Sequence, residues 1–172
     1  DISFTDRIEK QVDFMTKNDC CLCFSGVEII DEDGKFVCED IKCMSHAEMT
    51  VRLFFSSCFY HPSAMMRRDV FNLFRYDSAF VFAEDYKLWS DCFFCGCKKF
   101  GYVDDALLKY RVHGGNVSVA YRDRQLDISR EIGFHNTGMP FSFRELYNVL
   151  FDIYFFSKAS GSALHLFVIV FR

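Results

Sequence analysis

At 172 residues the chain is the size of one domain, and 51% hydrophobic with 26% charged residues supplies a packed core and excludes a disordered class. The net charge is −4, the two signs are mixed along the chain, and no lysine- or arginine-rich block occurs, which excludes a basic nucleic-acid groove. The chain opens on Asp1 with no basic-then-apolar leader, so no signal peptide is visible and a start inside a longer protein is expected.

A helix is expected over residues 4–16 from the spacing of Ile8, Val12 and Met15, with Phe14 adjoining. Ser3 or Thr5 is the expected cap, with Asp6 and Glu9 near its positive end. Residues 21–30 form an apolar strand broken at Ser25-Gly26. Asp31-Glu32-Asp33-Gly34 is a hairpin turn leading to a strand over 35–38. A calcium loop is not expected there, because Lys42 stands where the twelfth-position Glu would be.

Ser45 and Glu48 make a capping box for a helix over 45–57. Residues 60–68 read as extended through His61-Pro62, and 69–74 as a helical turn. A helix over 83–95 carries Glu84 and Asp85 in its first turn. Two strands, 100–103 and 107–112, are separated by Asp104-Asp105. Asn116 or Ser118 opens a long helix to about 133, and 141–156 is a final helix. The tail over 163–171 is apolar but interrupted by His165, and falls short of the ~20 residues a membrane span needs. The order is mixed α/β with short strands.

The nine cysteines are odd in number and lack a secretion signal, so free thiols in a reducing compartment are expected. Cys92, Cys95 and Cys97 have the spacing of half a zinc site, with Cys20 to Cys23 as the other half. The competing reading is simpler: Cys20 and Cys23 lie in a buried strand, where cysteine acts as a small hydrophobe.

Three patches carry a resemblance to one family. The first is Asp1-Ile2-Ser3-Phe4-Thr5-Asp6-Arg7-Ile8-Glu9-Lys10-Gln11, the second His61-Pro62-Ser63 followed by Arg67-Arg68. The third is Glu84-Asp85-Tyr86-Lys87-Leu88-Trp89, then Tyr110-Arg111-Val112-His113 and Asn116-Val117-Ser118. In this order and spacing they resemble the family 2 glycosyltransferases, which use the GT-A fold. The resemblance spans residues 1 to about 118 and implies the acceptor-side, C-terminal part of that mixed sheet. Residues 119–172 would form a C-terminal helical extension. Thr5 stands where the family usually has Pro, and the family's nucleotide-binding strands would lie upstream of Asp1.

The resemblance implies an inverting transfer of a sugar from a nucleotide diphosphate to a glycan or lipid-linked acceptor. It implies Mn2+ or Mg2+ as cofactor and a cytoplasmic setting at the inner membrane face; the apolar segment over 151–171 is a candidate for peripheral membrane contact, for docking on a partner subunit, or for covering the sheet. It makes Asp85 the general base. On the residues alone the helix-cap reading of Asp85 is favoured and the resemblance reverses that preference, and a helix N-terminus is expected to keep it ionised. Glu84, His61 and Trp89 are the acceptor-binding candidates, each with a plainer alternative as solvated, structural or core residue. Arg111 and His113 alternate on a strand and are candidates for the diphosphate or metal, or for an ion pair with Asp104 or Asp105. Asp1, aligned just after the family's second metal aspartate, is the remaining ligand candidate. Asp85 and His113 are expected to share one pocket. Two other readings stand beside this one: a non-catalytic glycosyltransferase remnant with an acceptor-binding surface, and a cysteine-rich zinc-binding module.

Overall fold

The computed structural model describes residues 1–97, 99–116, 120–140, 144, 145, 147, 148, 150 and 151. Its strands are β1 (Ile2–Ser3), β2 (Leu22–Ile30), β3 (Phe36–Asp40), β4 (Met65–Met66) and β5 (Phe100–Arg111). Its helices are α1 (Arg7–Asn18), α2 (His46–Arg52), α3 (Arg68–Leu73), α4 (Glu84–Cys95) and α5 (Arg122–Thr137). One-turn 3-10 helices occupy His61–Ser63 and Ser78–Phe80. The fold is the expected mixed α/β arrangement: a mixed sheet flanked by helices.

The sheet runs β1-β5-β2-β3, with β4 also against β2. β2 and β5 are parallel, and the other pairs are antiparallel. β2 is buried almost throughout because both of its faces are covered. Leu22 and Phe24 enter the main core with Leu53, Tyr86, Leu88 and Trp89, whereas Cys23 joins Met15 and Cys20 in a smaller cluster. This alternation is the two-residue period of a strand, and it puts α1 on one face and α2 and α4 on the other.

Several expectations change in detail. The strand after α4 is continuous: Asp104 and Asp105 form a bulge, with Ser25 facing Val103 but Gly26 facing Ala106. Extra residues in a paired strand bend it without ending it. The capping box at Ser45 and Glu48 is present, but α2 ends at Arg52. Neither Ser3 nor Thr5 caps α1, whose N-cap is Asp6 without a side-chain bond. Of the apolar positions that revealed α1, Ile8 and Val12 are exposed and Met15 is buried, with the polar Gln11 buried beside it. The expected 141–156 helix lies largely outside the described residues, and the tail over 163–171 wholly so.

Cys21 and Cys97 are joined by a disulfide, where a free thiol was expected at each. The parallel register explains the encounter: Leu22 lies opposite Phe100, so the residues before β2 and before β5 arrive side by side. Cys20, Cys23, Cys38, Cys43, Cys92 and Cys95 are free thiols. Burial pushes the thiols of Cys23 and Cys92 up to about 12, which leaves them inert and apolar. Among the described residues no group of three His, Cys, Asp or Glu side chains is placed to hold a metal ion, and Cys97 of the candidate zinc set is in the disulfide. Among the same residues no helix is long and apolar enough to cross a membrane.

Candidate functional site

The site is built outward from a gap in the sheet. β4 covers β2 at Leu22 and Cys23, and β3 covers it from Val27 onward, leaving Ser25 between them. A buried backbone N–H needs a partner, and that of Ser25 donates to Ser63 Oγ at 3.3 Å. Ser63 is itself fully buried and donates to the Tyr60 carbonyl at 2.8 Å. Its own carbonyl accepts from Gln11 Nε2 at 2.8 Å. Arg7 donates to Gln11 Oε1 at 2.9 Å and to the Ala64 carbonyl at 3.4 Å. The first sequence patch therefore clamps the second, and the His61–Ser63 turn has a fixed position.

That turn delivers His61 to α4. The imidazole lies edge-on to Trp89, with ring centroids 5.7 Å apart and planes at 79°. Its Nε2 is hydrogen-bonded to Tyr76 Oη at 2.8 Å. Trp89 is buried in the core, edge-on to Phe24 as well, so it supports the site from beneath in the core role that sequence reasoning also allowed it.

α4 is aimed by the turn before it. Phe82 has φ 79°, a left-handed conformation that a bulky residue holds only when its surroundings impose it. Its carbonyl accepts from Gln125 Nε2 at 2.8 Å, and its ring stacks on Tyr121 at 4.5 Å. α5 thereby holds the chain where α4 begins. Ala83 gives no side-chain cap, and Glu84 and Asp85 fill the first turn.

Asp85 is half-buried, and its Oδ1 accepts from the Tyr86 N–H at 2.7 Å. Burial raises its carboxyl above the ordinary carboxylate range, against the pull of the His61 charge and the Tyr86 N–H, and Glu84 adds to the rise. Desolvation thus works against the charged form that the helix end was expected to favour. A carboxylate made more basic in this way accepts a proton more readily than an ordinary Asp. Glu84 is half-buried beside it.

The imidazole whose charge acts on Asp85 is that of His61, not His113. His113 is exposed in the turn after β5, its Nδ1 accepting from the Gly115 N–H at 3.2 Å and its own N–H donating to Asn116 Oδ1 at 2.7 Å. Arg111 turns toward the β2–β3 hairpin, donating to the carbonyls of Asp31 at 3.1 Å and Glu32 at 2.7 Å. Its backbone N–H donates to Asp1 Oδ1 at 2.8 Å, which places Asp1 at the same end of β5. The ion pair weighed for Arg111 with Asp104 or Asp105 is absent among the described contacts; Asp105 pairs with Lys10 at 2.6 Å.

Tyr76 is the residue that sequence reasoning missed. Burial of its phenol, with the charges of Asp85 and Glu84, pushes its pKa up and so disfavours the phenolate. Only a tertiary contact distinguishes it; its local sequence, Arg75-Tyr76-Asp77-Ser78, is that of any turn.

No protein-family model matches the chain. Over 114 residues, 66% of its length, it is 32% identical to the O-antigen biosynthesis glycosyltransferase WbnJ of Escherichia coli, covering 44% of that protein. Over 147 residues, 79% of its length, it is 29% identical to a Haemophilus influenzae protein named an uncharacterized glycosyltransferase, covering 45% of it. The chain therefore spans less than half the length of the curated relatives it matches.

Proposed function

We propose that this chain is the acceptor-side part of an inverting glycosyltransferase of family 2 type on a GT-A fold. It moves a sugar from a nucleotide diphosphate to a hydroxyl of a glycan or lipid-linked acceptor. One observation carries the reading: Asp85, a carboxylate of raised basicity at the start of α4, is grouped with Glu84, His61 and Trp89, the residues named for the acceptor side. The names of both relatives support glycosyl transfer, and that of the Escherichia coli protein supports a surface polysaccharide as the product class.

In this reading Asp85 takes the proton of the acceptor hydroxyl as its oxygen attacks the anomeric carbon. The bond to the diphosphate breaks, and the diphosphate leaves with the electron pair. A base opposite the leaving group gives inversion. Glu84 and His61 orient the acceptor, and Trp89 holds His61 in place. Positioning of this kind and general-base assistance of ~10²–10⁴-fold are the two contributions these residues make.

A divalent ion, Mn2+ or Mg2+, would supply the neutralising charge for a departing diphosphate. Asp1 and His113 are at one end of β5, but among the described residues no third donor joins them, so these residues do not by themselves fit a metal site. The ion remains part of the proposal, and no step above runs through it. A setting at the inner face of the cytoplasmic membrane belongs to the same proposal.

The test is to supply the full-length protein with UDP-, GDP- and dTDP-sugars and a lipid-linked glycan fraction, then read the anomeric configuration of the product by NMR. Transfer with inversion is expected. Retention of configuration would contradict the single-base mechanism.

A further inference from the structure

Resting on the reading of Asp85 as the base, we propose that Tyr76 is a positioning residue: its phenol holds the His61 imidazole against Trp89, so that His61 serves as the counter-charge beside Asp85. Four observations join in a chain. Tyr76 Oη and His61 Nε2 are 2.8 Å apart. The two rings lie 5.7 Å apart, tilted by 51°. On its other side the imidazole meets Trp89 edge-on, also at 5.7 Å. Trp89 is four residues along α4 from Asp85, one helical turn away on the same face, and is locked in the core.

The imidazole is therefore gripped from two sides, by a buried indole and by a hydroxyl. A ring with only the indole contact would be free to swing away from the carboxylate. The second grip comes from the lip of the site, where Tyr76 is 46% exposed and packs on Phe71 at 6.2 Å. The groups that act on His61 are Asp85 and the Tyr76 phenol, and Glu84 acts in turn on both Asp85 and Tyr76. Lys87, the next cation along α4, is bound by Asp91 at 2.7 Å.

Such a device has a chemical purpose. A buried carboxylate alone would stay protonated to higher pH and lose its capacity as a base. A nearby imidazolium offsets that by favouring the ionised form. Tyr76, although it need not touch the reacting atoms, would set how much of that help reaches Asp85.

The experiment is a ¹³C NMR titration of the Asp85 carboxyl in the full chain, its resonance assigned by loss in Asp85→Asn. His61→Gln should move the midpoint upward by about one pH unit, as removal of an opposite charge does. Tyr76→Phe, a conservative change at an exposed position, should move it the same way by at least ~0.3 unit. Midpoints that stay at the wild-type value in both variants would overturn the proposal. So would a shift in His61→Gln with none in Tyr76→Phe, or a lowered melting temperature in Tyr76→Phe with the midpoint unmoved, since either leaves Tyr76 a purely structural part. The titration uses neither donor nor acceptor, so absence of sugar transfer would count against the function proposed above and not against this relay.

Discussion

Asp85 combines two demands that oppose each other. It must be ionised to accept a proton, yet its surroundings remove water from it. The folded protein therefore holds its proton more tightly than the unfolded chain, where the carboxyl titrates near 3.8. The sign follows directly: the contribution of Asp85 to stability falls as pH rises from about 3.8 through its raised folded value, and above that the ionised group is a cost. Asp85→Asn is expected to raise the melting temperature at neutral pH, with the gain vanishing below the ordinary carboxylate range. Thermal melts at the two pH values check this; an unchanged or lowered melting temperature at neutral pH would mean that burial does not dominate. The Glu84-Asp85 pair was legible because an acidic first turn is a local signal. The direction of its shift was not, because burial comes from the segments carrying His61 and Tyr76, which are distant in sequence.

Helices and strands were legible wherever the signal was local. The Ser45–Glu48 capping box placed the start of α2, and the Asp31–Gly34 turn placed the hairpin, where Asp31 Oδ1 accepts from the Lys35 N–H at 2.8 Å. The face of α1 was not legible. Its spacing pointed to Ile8, Val12 and Met15, of which only Met15 is buried; the His61–Ser63 turn offers α1 a backbone carbonyl, and the polar Gln11 is what docks there. No hydrophobic pattern can announce a polar residue chosen for one carbonyl. Gln11→Ala should cost ~1–3 kcal/mol, since it orphans the Ser63 carbonyl, whereas Ile8→Ser should stay within ~0.5 kcal/mol. Denaturant titrations of the two variants measure this, and equal losses would show that the outward face of α1 is packed after all. The same reasoning explains β5: two acidic residues look like a break in sequence, while in the sheet they are a bulge whose Asp105 is bound by Lys10.

Across the whole molecule, the mixed α/β class followed from the order of elements, but their convergence did not. The first two patches and the Glu84–Trp89 part of the third meet because a gap in the sheet at Ser25 recruits Ser63, Gln11 then secures that turn, and the turn carries His61 to α4, while Arg111 and His113 stay at the far end of β5. The Cys21–Cys97 disulfide was hidden for the same reason, since it depends on the parallel register of β2 and β5. The central claim is that this convergence serves Asp85 as the acceptor-side base of a glycosyltransferase. The most direct measurement compares sugar transfer by the full-length protein with that of Asp85→Asn, taking Asp91→Asn on the same helix as control, because Asp91 is engaged only with Lys87 in the described contacts. The account predicts a loss of ~10²–10⁴-fold for Asp85→Asn and little change for Asp91→Asn. Transfer at the wild-type rate by Asp85→Asn would contradict it.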